Sequence, residues 1–129
     1  MKKLFPILVI LLGCNIENKE NTDPISFEIS QKNESEKIIA AYTDDPDSLW
    51  TNEEWVESLK NEMKNLSSNY STILLFDSEN NIPDVATQGM NYSSDYDVYM
   101  VGGYWVYPNG NVQFCYGGRD KDGNFKKCE

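Results

Sequence analysis

A chain of 129 residues has room for one domain and little else. With 11 basic residues against 21 acidic ones its net charge is −10, which excludes the basic footprint that a nucleic-acid partner requires. Histidine is absent, so the usual general base, the usual triad base and the commonest metal ligand are all missing.

The N-terminus reads as a targeting segment. Lys2 and Lys3 precede the apolar stretch Leu4 to Leu12, and Gly13-Cys14 follows before the chain turns polar at Asn15. A permanent span needs about 20 apolar residues, so this stretch is too short to be one, and it fits a secretory signal peptide over residues 1–13. The ending Leu11-Leu12-Gly13-Cys14 resembles the lipobox of bacterial lipoproteins. That resemblance implies lipidation of Cys14 and cleavage before it, leaving the domain anchored on the extracytoplasmic side by its acyl chains (palmitate-type). Two or three such chains suffice for stable anchoring. Losing residues 1–13 strips two of the 11 basic residues and leaves 9 against 21 acidic, a net of −12. Membrane affinity then rests on lipid and not on charge. Asn15 follows the cysteine where aspartate would favour inner-membrane retention, so the resemblance points to the outer membrane in a diderm host.

Residues 14–25 are polar and read as a flexible tether, with a single domain over 26–129. Phe27 and Ile29 alternate with polar neighbours as a short first strand, interrupted over Gln31 to Glu36. Ile38 to Tyr42 reads as a strand, although pattern alone also admits a short helix. Thr43 to Ser48 is a loop whose aspartates, Asp44, Asp45 and Asp47, match no calcium spacing.

Thr51 and Glu54 form a capping box, with Trp50 and Trp55 as a hydrophobic staple. Val56, Leu59, Met63 and Leu66 make one apolar stripe, so an amphipathic helix is predicted from about Asn52 to Leu66. Glu53, Glu54 and Glu57 fall in its first turns, where dipole compensation accounts for them without catalysis.

Thr72 to Phe76 is a continuous apolar run, predicted as a strand covered on both faces. Strand, helix and strand together suit a βαβ unit. Asp77, Glu79 and Asn81 begin like an EF-hand loop, but Ile82 replaces the required glycine and Gln88 the bidentate acid. Val85 to about Asp95 carries little pattern and reads as a mobile or ligand-facing segment.

Asp97 to Tyr107 and Asn111 to Gly117 form a hairpin across Asn109-Gly110. A two-residue loop sets Tyr107 opposite Val112, Trp105 opposite Phe114 and Gly103 opposite Tyr116. It turns Trp105, Phe114 and Tyr116 toward the helix and Tyr104 outward, with a bulge at Gly102-Gly103. Cys115 and Cys128 are the cysteines left after lipidation. An oxidising compartment favours a disulfide between them, two reduced structural cysteines being the alternative. Asp120, Asp122 and Asn124 sit in a tight turn, with Gly123 too early for a calcium loop.

Together these features predict an α+β domain, a sheet of four to five strands with one helix on one face and a disulfide-stapled C-terminal hairpin. They predict no cofactor, no metal site and no catalytic residue. Tyr92, Tyr96, Tyr99 and Tyr104 form the candidate contact surface, because tyrosine joins apolar area to a polar handle. The leading functional expectation is a non-enzymatic, membrane-tethered interaction module of the envelope with a protein partner, of immunity or exclusion type. The alternatives are a carboxylate-dependent enzyme acting on cell-wall or glycan material and a structural envelope lipoprotein.

Overall fold

The structure, a computed structural model, describes residues 27–129. The expected signal peptide, Cys14 and the tether lie outside the described residues. Strands β1 (Glu28–Asn33) and β2 (Ile38–Tyr42) form a hairpin, then come helices α1 (Pro46–Trp50) and α2 (Glu53–Leu66) and strand β3 (Thr72–Phe76). After β3 the chain makes a series of short helical turns that includes α3 (Val85–Gln88), and it ends in β4 (Met100–Val106), β5 (Val112–Arg119) and β6 (Phe125–Cys128). The sheet has six strands in chain order, beyond the four to five expected. β6 escapes the eye because Phe-Lys-Lys-Cys is too short and too charged to show a pattern. β2 and β3 are parallel, as a βαβ unit requires, and every other pairing is antiparallel.

The β1–β2 turn is where the first strand was expected to break. The strand runs on to Asn33, whose side chain organises the turn. Its Oδ1 accepts from the Glu36 amide at 2.9 Å and the Ser35 hydroxyl at 3.0 Å. Lys37 then takes a left-handed conformation (φ 61°) to start β2.

Part of the expected Thr43–Ser48 loop is helical. Pro46, with its pre-set φ, opens α1, and Asp45 caps it by accepting from the Ser48 amide. This shifts the cap of α2 by one residue. Asn52 is the N-cap, its Oδ1 accepting from the amides of Glu54 and Trp55 at 2.9 and 3.2 Å. Thr51 instead ends α1, its hydroxyl donating to the Ser48 carbonyl. The predicted stripe holds: Val56, Leu59 and Met63 are buried.

The last hairpin differs from expectation by one residue of register. Tyr104 faces Phe114, Trp105 faces Gln113 and Gly103 faces Cys115. The reason is Pro108. Proline suits the second position of a type I turn, and the Gly110 amide closes that turn onto the Tyr107 carbonyl at 2.8 Å. Gly110 (φ 88°) then supplies the left-handed residue of a three-residue loop. A one-residue slip exchanges the faces, so Tyr104 turns inward to the helices and Trp105 to the opposite side. Trp105 there covers Gly103, where a Cβ would lie 2.8 Å from Trp105 Cζ2 and 3.0 Å from the Ile73 carbonyl oxygen. The bulge expected at Gly102-Gly103 falls just before them, at Val101, between the Phe76–Met100 and Leu75–Gly102 pairs.

Both faces of the sheet are covered. On one, Ile39, Ala41, Ile73, Leu75, Tyr104 and Phe114 pack beneath α1 and α2. On the other, Ile38, Ala40, Leu74 and Phe76 meet Val85 and Met100, with Ile82, Tyr92, Tyr96, Trp105 and Phe125 alongside. The segment expected to be mobile is therefore a second covering layer. Asn33 Nδ2 ties it down through the Val85 and Ala86 carbonyls at 3.1 and 3.2 Å, and Gln31 accepts from the Ala86 amide.

Thr43, 1% exposed, buries a hydroxyl with no partner among the described residues, while its amide is held by the Phe76 carbonyl. An unsatisfied buried hydroxyl costs about 1–3 kcal/mol. Thr43→Val removes it at nearly constant shape and is expected to raise the melting temperature by roughly 4–8 °C, the equivalent of about 1 kcal/mol in a domain of this size. Thermal unfolding followed by circular dichroism checks this, and a lowered midpoint would mean that the hydroxyl is satisfied.

Candidate contact site

The parallel strands β2 and β3 end side by side at Tyr42 and Phe76, and the crevice outside the carboxyl ends of such strands is where open sheets with parallel pairs place ligands. After β3 the chain turns sharply. Asn81 Nδ2 donates to Asp77 Oδ1 at 2.9 Å, and the Asp77 amide donates to the Tyr99 carbonyl at 3.0 Å. This second bond joins the turn to the residues that lead into β4. Between the two segments lies a cleft of about 360 Å³ lined by Asn80, Asn81, Asp95, Tyr96 and Tyr99.

The wall formed by Ser94–Tyr99 is a helical turn, capped where Ser93 Oγ accepts from the Asp95 amide. Tyr92 and Tyr96 lean onto the second core layer. The Tyr92 hydroxyl donates to Asp97 at 3.3 Å. Burial, with the Asp97 carboxylate beside it, pushes the Tyr92 phenol up to about 12 against a weaker opposing pull from Arg119. The inward tyrosines leave the outer side of the turn apolar and open: Val98 is 69% exposed and Tyr99 37%. Val98 also borders a second cleft of about 350 Å³ with Asp97, Arg119 and Lys121. Arg119 is fixed there, its Nε donating to the Met100 carbonyl and Nη1 to the Gly123 carbonyl, with the guanidinium 3.9 Å over the Phe125 ring.

This end of the sheet is acidic. The Tyr42 phenol is raised by desolvation and then by the charges of Glu28, Glu79 and Asp44, three carboxylates from three separate segments. Asp95 and Asp97 extend the acidity along the exposed turn. Among the described residues no group of three or more His, Cys, Asp or Glu side chains is arranged to hold a metal ion. Nor is any helix among them long and apolar enough to cross a membrane.

Of the four tyrosines singled out from the sequence, Tyr92, Tyr96 and Tyr99 meet on this one segment. Tyr104 is a correction: it is 4% exposed, on the opposite face, with its ring 6.3 Å from that of Phe114. Val98, Asn80 and Asn81 were missed. A legible signal was present in Ser93 followed by Asp95, an N-cap with an acid in the first turn, which marks a helical turn whose outer side Val98 occupies.

Cys115 and Cys128 are joined by a disulfide across β5 and β6, their Cα atoms 4.1 Å apart. Beside it, Phe114 and Glu129 exchange both backbone hydrogen bonds, at 3.0 and 2.8 Å. Compared with known protein families, curated proteins and solved structures, the chain matches none.

Proposed function

We propose that the protein is a lipid-anchored interaction module of the bacterial envelope that docks a basic protein partner, without catalysis, through the surface carrying Val98 and Tyr99. The observation behind this reading is the exposed Val98, beside Tyr99 and between two clefts, on a turn held by its Ser93 cap and by Tyr96 against the core. Exposed apolar side chains on a well-held segment suit a contact surface, and tyrosine at its margin suits a site half apolar and half wet. The carboxylates around it, in a domain with far more acid than base, select for a cationic partner and steer its approach. Support for the anchor is the lipobox-like Leu11-Leu12-Gly13-Cys14, and Asn15 after it, in place of an aspartate, favours the outer membrane in a diderm host. A tethered domain of this kind suits an immunity or exclusion role, in which occupying a toxin, phage or conjugation protein is the whole task.

The test is crosslinking in intact host cells with wild type, Cys14→Ala and a Val98→Asp/Tyr99→Ala double variant, alongside metabolic labelling with a palmitate analogue. A discrete partner captured by wild type and lost in the double variant, with label incorporated in all but Cys14→Ala, is the expected result. A partner retained by the double variant overturns the surface, and an unlabelled wild type overturns the anchor.

A further inference from the structure

A separate cavity lies on the face covered by α1 and α2, where the start of α2 meets the C-terminal strands. It encloses about 250 Å³ between Trp50, Glu53, Val56 and Glu57 on one side and Tyr116, Lys127 and Glu129 on the other. Its two aromatic walls are Trp50 and Tyr116, with ring centroids 6.0 Å apart and planes inclined at 47°. The Tyr116 ring is stacked on Phe114, with centroids 5.0 Å apart, and the negative face it has left attracts a cation. The charged rim is also biased. Glu129 is occupied, receiving Lys60 Nζ and the Tyr116 hydroxyl on its two oxygens. Glu53 and Glu57, both exposed, form no salt bridge among the described residues. Lys127 Nζ already sits 5.9 Å from the centroid of the Tyr116 ring, so an ammonium from the protein itself samples the position.

We infer that this cavity is a binding site for a primary alkylammonium group, held against the Tyr116 ring beside Trp50 and neutralised by Glu53 and Glu57. Lys127 acts as a built-in competitor that an incoming ammonium displaces from the Tyr116 ring. The group can come from a lysine side chain in a peptide or from a free polyamine, since both carry the same ammonium on an apolar stem. The site stands on the opposite face from Val98 and does not depend on the partner proposed above.

The experiment titrates full-length protein in detergent with Nα-acetyl-lysine methylamide, cadaverine or the neutral Nα-acetyl-norleucine methylamide, reading the Trp50 indole N–H resonance. The resonance is assigned with Trp50→Phe. A saturable shift with either amine and none with the norleucine compound is expected. The amine that titrates more tightly identifies the source. Lys127→Met changes an exposed strand residue and is expected to tighten binding at least threefold. The double variant Glu53→Gln/Glu57→Gln is expected to weaken it at least threefold, its fold checked by unchanged amide dispersion. Equal response to the norleucine compound, no saturable shift in wild type and Lys127→Met alike, or unchanged affinity in Lys127→Met would each overturn the assignment.

Discussion

Cys128→Ser is expected to lower the unfolding free energy by about 3 kcal/mol, the value for releasing a closed loop of about 14 residues in the chain-entropy treatment. In a domain of this size that corresponds to a fall in melting temperature of roughly 12–24 °C. The loss should be local before it is global. β6 shows most of its side chains to solvent, so burial does little to hold it on β5. Without the bridge, the backbone pair between Phe114 and Glu129 frays, and with it the Lys60–Glu129 contact. Amide exchange at Phe114 and Glu129 should quicken by orders of magnitude, while the parallel β2–β3 centre keeps its protection. Cys128 is the better position to change because it is exposed, whereas Cys115 is 3% exposed and a serine there would bury a hydroxyl as well. Wild type under reductant should superimpose on the variant. A variant melting within about 2 °C of oxidised wild type would show that the reduced chain already holds β6 in place.

The second large effect is expected at Asn33, 6% exposed, where one side chain serves two separate parts of the fold. Its amide nitrogen satisfies the carbonyls of Val85 and Ala86, and its oxygen gathers the Ser35 hydroxyl and the Glu36 amide. Asn33→Ala leaves these groups short of partners in a place with little access to water, and each orphaned buried group costs about 1–3 kcal/mol. With partial relaxation a loss of about 2–4 kcal/mol follows, within the range typical of a broken buried network. Asn33→Asp keeps the acceptor and loses the donor, setting a carboxylate against two carbonyl oxygens, so it should be no better. Urea unfolding with an unchanged slope and a lower midpoint is the measurement. A loss under about 1 kcal/mol would mean that the Val85–Gln88 turn is held by packing alone. Because that turn leads through residues 89–93 into the Ser94–Tyr99 wall, the variant should also weaken any contact made through Val98.

The parts of the fold legible in the sequence are those fixed by short-range chemistry. The stripe Val56-Leu59-Met63 reads as a helix because its period is 3.6, and Thr72 to Phe76 reads as a doubly covered strand because every position is apolar. The Cys115–Cys128 bridge followed from the two cysteines remaining after Cys14 and from an oxidising compartment. What was misread turned on single residues with two competing roles. Thr51 and Asn52 are both good caps, and the choice was made by α1, which claims Thr51 as its end and has no hydrophobic period to announce it. Asn109-Gly110 signals a two-residue hairpin loop until Pro108 is counted, and the difference of one residue moved Tyr104 from surface to core. The segment from Ile82 to Tyr99 has no period because its apolar residues come singly from successive short turns. Its order is imposed from a distance by Asn33 and Gln31, and long-range hydrogen bonds leave no local trace in a sequence. The candidate site was legible to the extent that its tyrosines cluster. Which of them would face outward depended on that same segment.

The agreement between strand order and chain order has a consequence for how the molecule comes together. Each strand pairs with the one before it, so no strand has to insert between two that are already joined. The sheet can grow from β1 toward β6 in the order in which a chain emerges, and the entropy of closing long loops is met only at the α1–α2 crossover and at the turns between β3 and β4. The edge awaiting the next strand is open at every intermediate stage, and it is finally capped by the lysines of β6. The step that locks the sheet, oxidation of Cys115 with Cys128, joins β5 to β6 and so waits until both strands are in place.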